Sequence, residues 1–263
     1  MSEDIVLVKR RGDGLAEVTM NRPHVHNALD DHLILRLIAV FEELGRDATV
    51  RFVTLTGAGK SFCAGGDIDY LRRCGEYTVE ENHREGMNLA RMLRTIYELP
   101  KPVIGLINGA AYGGGLGMTT VCDIAIGVRS ASFTLSEVKL GLIPGTISPY
   151  VVQAMGARHA RRYFLTAERI DAAKARELGL LHELVEDQEA LLAERDRVLA
   201  ALRLGGPQAL ADSKALIYAV ANRPIDDAVV ADSARRIAES RATAQGQEGA
   251  RAFLEKRKPS WVA

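Results

Sequence analysis

The chain has 263 residues, 47% of them hydrophobic, with 34 Lys and Arg balanced by 34 Asp and Glu. That length supports one large domain or a core with an appendage, and a net charge of zero argues against a polybasic surface for nucleic acid or acidic membrane. The cysteines Cys63, Cys74 and Cys122 are scattered without Cys-x-x-Cys spacing, and the opening Met1-Ser-Glu-Asp4 is unlike a signal peptide, so a reduced, cytoplasmic setting is expected.

Residues 5–9 and 15–20 read as paired strands joined through the turn-rich Arg11-Gly-Asp-Gly14. Asn21-Arg-Pro23 breaks that pattern. From Asp30 a helix is predicted, because Ile34, Leu37, Ile38 and Phe41 recur at i, i+3, i+4 and i+7, with Asp30 or Asp31 as its cap. Residues 52–56 are an apolar, β-branched strand ended by Gly57-Ala-Gly59. A helix over 79–99 carries Leu89, Met92, Leu93 and Ile96 on one face and stops at Pro100.

The uncharged run 102–122 approaches the ~20 residues of a membrane span. Its six glycines and Asn108 instead predict a buried strand at 103–107, a tight turn at 110–115 and a buried helix starting at 116. Strands alternating with helices argue for an α/β architecture with helices packed on a sheet. After Pro144 strand signals fade, and helices are predicted near 161–165, 172–178, 189–204, 208–220, 225–241 and 248–256. Gly205-Gly206-Pro207 supplies C-cap glycines and then a Pro for the first position of the next helix. This places a core over 1–204 and a helical C-terminal subdomain over 205–263, which has little room for its own core and is expected to pack against another subunit.

Two glycine-rich turns each follow a strand and open a helix: Phe62-Cys-Ala-Gly-Gly-Asp67 and Tyr112-Gly-Gly-Gly-Leu116. Without Cβ atoms the backbone can approach a ligand closely, and free N–H groups at the helix start point at it. Two such turns can aim two N–H groups at one oxygen. Other motifs fail on spacing. Gly59-Lys60-Ser61 lacks the glycine five positions earlier that a phosphate-cradling loop needs, since Thr54 stands there. The dinucleotide fingerprint would require glycine at Met118. His24 and His26 flank a turn without metal-ligand spacing. Asp67 reads equally as a helix cap or as a functional carboxylate. Glu137 stands among Phe133, Leu135, Val138, Leu140, Leu142 and Ile143, and a carboxylate in apolar surroundings has a raised pKa suited to proton transfer.

The ordered motifs Asn21-Arg-Pro, Asn27-Ala-Leu29, Phe62-Cys-Ala-Gly-Gly-Asp67, Asn108-Gly-Ala-Ala-Tyr-Gly-Gly-Gly-Leu-Gly117, Cys122-Asp123, Leu135-Ser-Glu-Val-Lys-Leu-Gly-Leu-Ile-Pro144, Leu165-Thr-Ala-Glu-Arg-Ile170, Ala175-Arg-Glu-Leu-Gly-Leu180 and Phe253-Leu-Glu-Lys-Arg-Lys-Pro259 resemble the enoyl-CoA hydratase/isomerase (crotonase) superfamily. The resemblance spans essentially the whole chain. Ile147-Ser-Pro-Tyr-Val-Val152 and Ala160-Arg-Arg-Tyr-Phe-Leu165 are similar to its methylglutaconyl-CoA and isoprenoid-glutaconyl-CoA hydratase branch.

The resemblance implies a spiral of ββα units with an α-helical C-terminal trimerisation region, assembled as a trimer or dimer of trimers. It implies an acyl-CoA thioester as substrate, its carbonyl held by the Gly66 and Gly114 amides, with Glu137 as acid and base. It also implies acyl-CoA contacts from Ala64, Gly66, Asp67, Ile68, Asp69 and Gly114, with Lys256 near the nucleotide end. No metal or redox cofactor is implied, since the glycine pair already supplies the electrophilic help, and coenzyme A enters as part of the substrate. Related hydratases commonly use two glutamates, and the first falls at Gly117 here. That departure leaves three readings: a hydratase of a branched or carboxylated enoyl-CoA working through Glu137 alone, an isomerase shuttling one proton with the same residue, or a non-catalytic acyl-CoA-binding protein. It further implies that Gly117→Glu would raise hydration of a straight-chain enoyl-CoA.

Overall fold

The computed structural model describes residues 4–262, and Met1-Ser-Glu3 of the charged opening lie outside them. The first hairpin forms as expected. Strands β1 (Val6–Arg10) and β2 (Leu15–Met20) pair antiparallel from Val6 opposite Met20 to Arg10 opposite Ala16. Helix α1 (Asp31–Arg46) starts where Asp30 accepts a hydrogen bond from the Leu33 N–H at 2.8 Å, and its face Leu33, Ile34, Leu37, Ile38, Phe41 and Leu44 is buried.

Pairs of strands then alternate between two sheets, each pair followed by helix. The chain runs through β3 (Phe52–Gly57), β4 (Ser61–Cys63), α2 (Ile68–Cys74), α3 (Val79–Tyr97), β5 (Val103–Ile107), β6 (Ala110–Tyr112), α4 (Gly114–Val121), β7 (Ile124–Val128), β8 (Ser132–Thr134), a 3-10 turn (Glu137–Leu140) and α5 (Ser148–Thr166). It continues through β9 (Ile170–Asp171), α6 (Ala172–Glu177), β10 (Glu183–Val185) and α7 (Gln188–Arg203). The six-stranded sheet has the order β1-β2-β3-β5-β7-β10, parallel beyond β2, and the four-stranded sheet has the order β4-β6-β8-β9. Each first strand of a pair thus joins the large sheet and each second strand the small one, giving the α/β spiral of ββα units that the resemblance implies.

Most long elements match the sequence, but α5 runs over Ser148–Thr166 where a helix is expected only at 161–165, and Gly156 interrupts its helical backbone; the short elements also depart from it. Residues 110–112, read as part of a turn, are strand β6, because their backbone pairs in parallel with β4 and β8. Helix α4 consequently starts at Gly114, earlier than expected. Strands β9 and β10 lie in the region where strand signals fade and helices are expected to dominate; two or three residues are too few to show an alternating pattern. Among the described residues no helix is long and apolar enough to cross a membrane, and the run 102–122 is divided among β5, β6 and α4.

Internal contacts divide the chain into two compact units, 1–99 with 103–195, and 100–102 with 196–263. Helix α7 continues from the first into the second. The second unit contains α8 (Pro207–Val220), α9 (Asp227–Ala242) and α10 (Ala244–Leu254). Pro207 opens α8 after Gly206, and the Trp261 indole N–H donates to the Leu204 carbonyl at 3.0 Å.

Candidate active site

The turn between β4 and α2 is fixed by polar groups. Buried Asn27 donates to the carbonyls of Ala58 and Ser61, each at 2.9 Å, which pins the chain entering β4. The Leu29 N–H donates to the Gly65 carbonyl at 2.7 Å, and the Asp67 N–H donates to the Leu29 carbonyl at 2.9 Å. This short parallel bridge uses the groups on either side of Gly66 and leaves the Gly66 N–H without an acceptor among the described residues. Asp67 caps α2 by accepting from the Asp69 and Tyr70 amides at 3.0 and 3.3 Å. Arg22 reaches both caps, 2.9 Å from Asp30 and 3.1 Å from Asp67. Burial works against an ionised Asp67, but the two amides and the Arg22 guanidinium outweigh it and hold its pKa below the usual carboxylate range.

The turn between β6 and α4 is fixed by apolar packing and by backbone that only glycine adopts readily. Gly113 sits at φ 47°, ψ −115°, and donates to the Thr134 carbonyl at 2.9 Å. Gly114 is the first helical residue, so its N–H has no intrahelical acceptor. Leu116, Gly117, Met118, Thr119 and Val121 are buried behind it.

Glu137 follows β8 at the start of the 3-10 turn. A methyl group on Gly113 would lie 3.0 Å from its Oε1, so the carboxylate stands directly against the second turn. Its Oε2 is buried with no hydrogen-bond partner among the described residues. Burial pushes its pKa above the ordinary glutamate value, and a hydrogen bond from its own backbone opposes this only in part. The apolar surroundings read from sequence are only half enclosing. Phe133 and Leu135 are buried, whereas Leu140, Leu142 and Ile143 are exposed at 62%, 52% and 80% and form an open rim.

Gly66, Gly114 and Glu137 line one cleft of about 330 Å³, together with Ala64, Leu29, Ile34, Leu71 and Ile147 among others. Among the described residues lining it, Glu137 is the only charged one. Asp67, Ile68, Asp69 and Lys256 are not among the described residues that line it. Asp67 is turned to its cap and to Arg22. Ile68 is 77% exposed, and Asp69 pairs with Arg72 at 2.6 Å. Lys256 is in the second unit, just after α10. Tyr70 lines the cleft and donates to Glu85 at 3.2 Å, while Tyr112 bonds Ser132 and Tyr150 packs on the Tyr97 ring. Sequence reasoning passed over Leu29, Leu71, Ile147 and Arg22. Leu29 and Ile34 had a readable signal, since they flank the Asp30 cap at the N′ and N4 positions of a hydrophobic staple. Arg22 had none, because its partners lie far off in sequence.

Two unpaired amides and a half-buried carboxylate in one apolar cleft make a site equipped for proton transfer beside a developing oxyanion. The chain belongs to the enoyl-CoA hydratase/isomerase family of the crotonase superfamily and is an enzyme of that class, for the family's sequence model matches residues 10–263. It is 32% identical over 263 residues to a crotonyl-CoA hydratase of Syntrophomonas wolfei, covering 99% of this chain and 98% of that one. Among solved structures, it superposes with a TM-score of 0.95 on an enoyl-CoA hydratase from Shewanella pealeana, 41% identical over 98% of this chain and 96% of that one. Pseudomonas aeruginosa AtuE is similar with a TM-score of 0.94 and 36% identity, covering 99% and 100% of the two chains.

Proposed function

We propose that the enzyme adds or removes water at the 2,3-double bond of a branched or carboxylated enoyl-CoA, with Glu137 as its single acid–base residue. The observation that carries this reading is the buried, unpartnered Glu137 Oε2 in the cleft that the Gly66 and Gly114 amides also line. In the hydration direction Glu137 takes a proton from water as the water oxygen bonds to C3. Electron density from the double bond moves to the thioester oxygen, where the Gly66 and Gly114 N–H groups stabilise it. Glu137 then returns the proton to C2, so one water is added and the residue is regenerated. Donors fixed before reaction make this effective, and losing one typically costs about 10² to 10³ in rate.

The names of the relatives support hydration over other chemistry of the family. A second carboxylate on the acyl chain would need a cation beyond the described lining, because Glu137 would repel it within the cleft. Arg72 and Arg73 are paired with Asp69 and Asp31. Assembly as a trimer or dimer of trimers, with Lys256 meeting the nucleotide end of coenzyme A, belongs to the same proposal. One observation favours the isomerase alternative: a single charged residue suffices to move a proton between C4 and C2. The test is mass spectrometry and absorbance with crotonyl-CoA, 3-methylglutaconyl-CoA, 3-methylcrotonyl-CoA and 3-hexenoyl-CoA. A product heavier by one water supports hydration; conjugated-enoyl absorbance from 3-hexenoyl-CoA without mass change replaces it by isomerisation.

A further inference from the structure

Ile147 stands at the entry to α5, 2% exposed, and forms part of the cleft wall that also holds Glu137. Across from it is Gly117 in α4. A methyl group on Gly117 would lie 2.3 Å from Ile147 Cγ2 and 2.8 Å from its Cβ, where carbon atoms need about 3.5 to 4.0 Å. Because Cβ itself is too close, and a β-branched side chain has few χ1 choices, rotation of Ile147 does not relieve the collision. The two positions therefore share one volume. Either residue 117 carries a side chain or residue 147 carries isoleucine. In this chain the volume goes to a hydrocarbon group on the cleft wall, and a carboxylate cannot simply be added at 117.

We propose that Gly117 and Ile147 form one size-coupled specificity element for the acyl chain. Ile147 fills the space that glycine leaves open, and its side chain limits how large an apolar substituent fits in the cleft with Glu137. It favours an acyl group that presents a hydrocarbon branch to this wall over one that presents a hydrogen-bonding group. The inference rests on the acyl-CoA reading of the cleft but not on the direction or type of the reaction.

The test combines stability with binding of unreactive saturated thioesters. Gly117→Ala, Ile147→Ala, the milder Ile147→Val and the double variant Gly117→Ala/Ile147→Ala are compared with wild type by thermal unfolding and by calorimetric titration with butyryl-CoA, isovaleryl-CoA and hexanoyl-CoA. Gly117→Ala is expected to lower the unfolding midpoint by roughly 2 to 12 °C, as overpacking does, and the double variant is expected to regain most of that loss in a non-additive cycle. Ile147→Ala is expected to shift the hexanoyl-to-butyryl affinity ratio about tenfold or more toward hexanoyl, the scale set by one or two methylenes in a pocket, with Ile147→Val shifting it less in the same direction. Additive stabilities, or an unchanged affinity ratio in both Ile147 variants, would overturn the proposal. Shifted ratios in a protein that adds water to no enoyl-CoA uphold it while removing the hydratase reading.

Discussion

The turn at Gly66 leads into a helix with no buried residue, whereas the turn at Gly114 leads into one whose side chains are nearly all inside the protein. Both glycines line the same cleft, into which the proposed mechanism has each of them direct an N–H. At Gly66 the position is set by hydrogen bonds and charge: the Leu29 bridge, the Asp67 cap and Arg22 joining two helix starts. At Gly114 it is set by close packing, with no charged group in α4. A donor for a developing negative charge needs only to be held still, and these two physical means are open to different kinds of damage.

The carboxylate that lines this cleft beside Gly113 gives the largest expected effect. Glu137→Gln keeps the shape and removes the base, so turnover falls by about 10² to 10⁴ or more, the usual contribution of a general base, while binding of a saturated acyl-CoA stays near wild type. A variant keeping more than a tenth of the wild-type rate would rule Glu137 out. The raised pKa adds a pH dependence whose sign is fixed. The folded protein holds this proton to a higher pH than the unfolded chain, so stability falls as pH rises from the ordinary glutamate value through the raised one. The stability of Glu137→Gln relative to wild type must therefore increase across that window, and equal slopes in urea melts would show that burial does not perturb this group. In the wild type, kcat/KM declines on acidification at a pH above the ordinary glutamate value.

Stability separates the two turns next. Met118→Ala empties fully buried space in α4 and is expected to cost about 2 to 5 kcal/mol in urea unfolding. Arg22→Ala leaves Asp30 and Asp67 without their shared partner and is expected to cost about 2 kcal/mol, in the range of a hydrogen bond to a charged group. Because it loosens the turn that carries the Gly66 N–H, it should lower kcat more than it weakens binding of a saturated acyl-CoA. If Met118→Ala lowers kcat while Arg22→Ala affects only stability, the contrast between the turns is reversed.

Legibility in the sequence follows the same division. Helix α1, strand β5 and the apolar face of α3 were readable because burial imposes a period of 3.6 or an unbroken apolar run over many residues. Both glycine turns were readable as turns that follow a strand and open a helix. The strand character of residues 110–112 was not, since it comes from partners around Ser61 and Phe133, far off in the chain. Nor was the consequence of Gly117. The sequence suggested an absent carboxylate, and the structure adds that Ile147 occupies the space, so Gly117→Glu alone should damage packing before it can improve chemistry. Arg22 looked like part of a turn because its role depends on two helix caps that meet only in three dimensions.

The smallest effect resolves what holds the polar turn. Asp67 does two jobs at once, accepting hydrogen bonds from the amides of α2 and pairing with Arg22. Asp67→Ala removes both and is expected to cost about 1 to 2 kcal/mol. Asp67→Asn keeps a capping oxygen, since asparagine caps as well as aspartate, but gives up the charge. If the cap is what fixes Gly66, the asparagine variant stays within a few tenths of a kcal/mol of wild type and retains its kcat. If the ion pair fixes it, Asp67→Asn behaves like Asp67→Ala, and the cost shrinks at high salt for the part of the pair that solvent reaches. The lowered pKa of Asp67 supplies the control. Its stabilisation is present above the ordinary aspartate value and is lost as pH falls through the lowered one, so wild type and Asp67→Asn should converge in acid. A gap that persists there would mean that the asparagine fails for a reason other than charge.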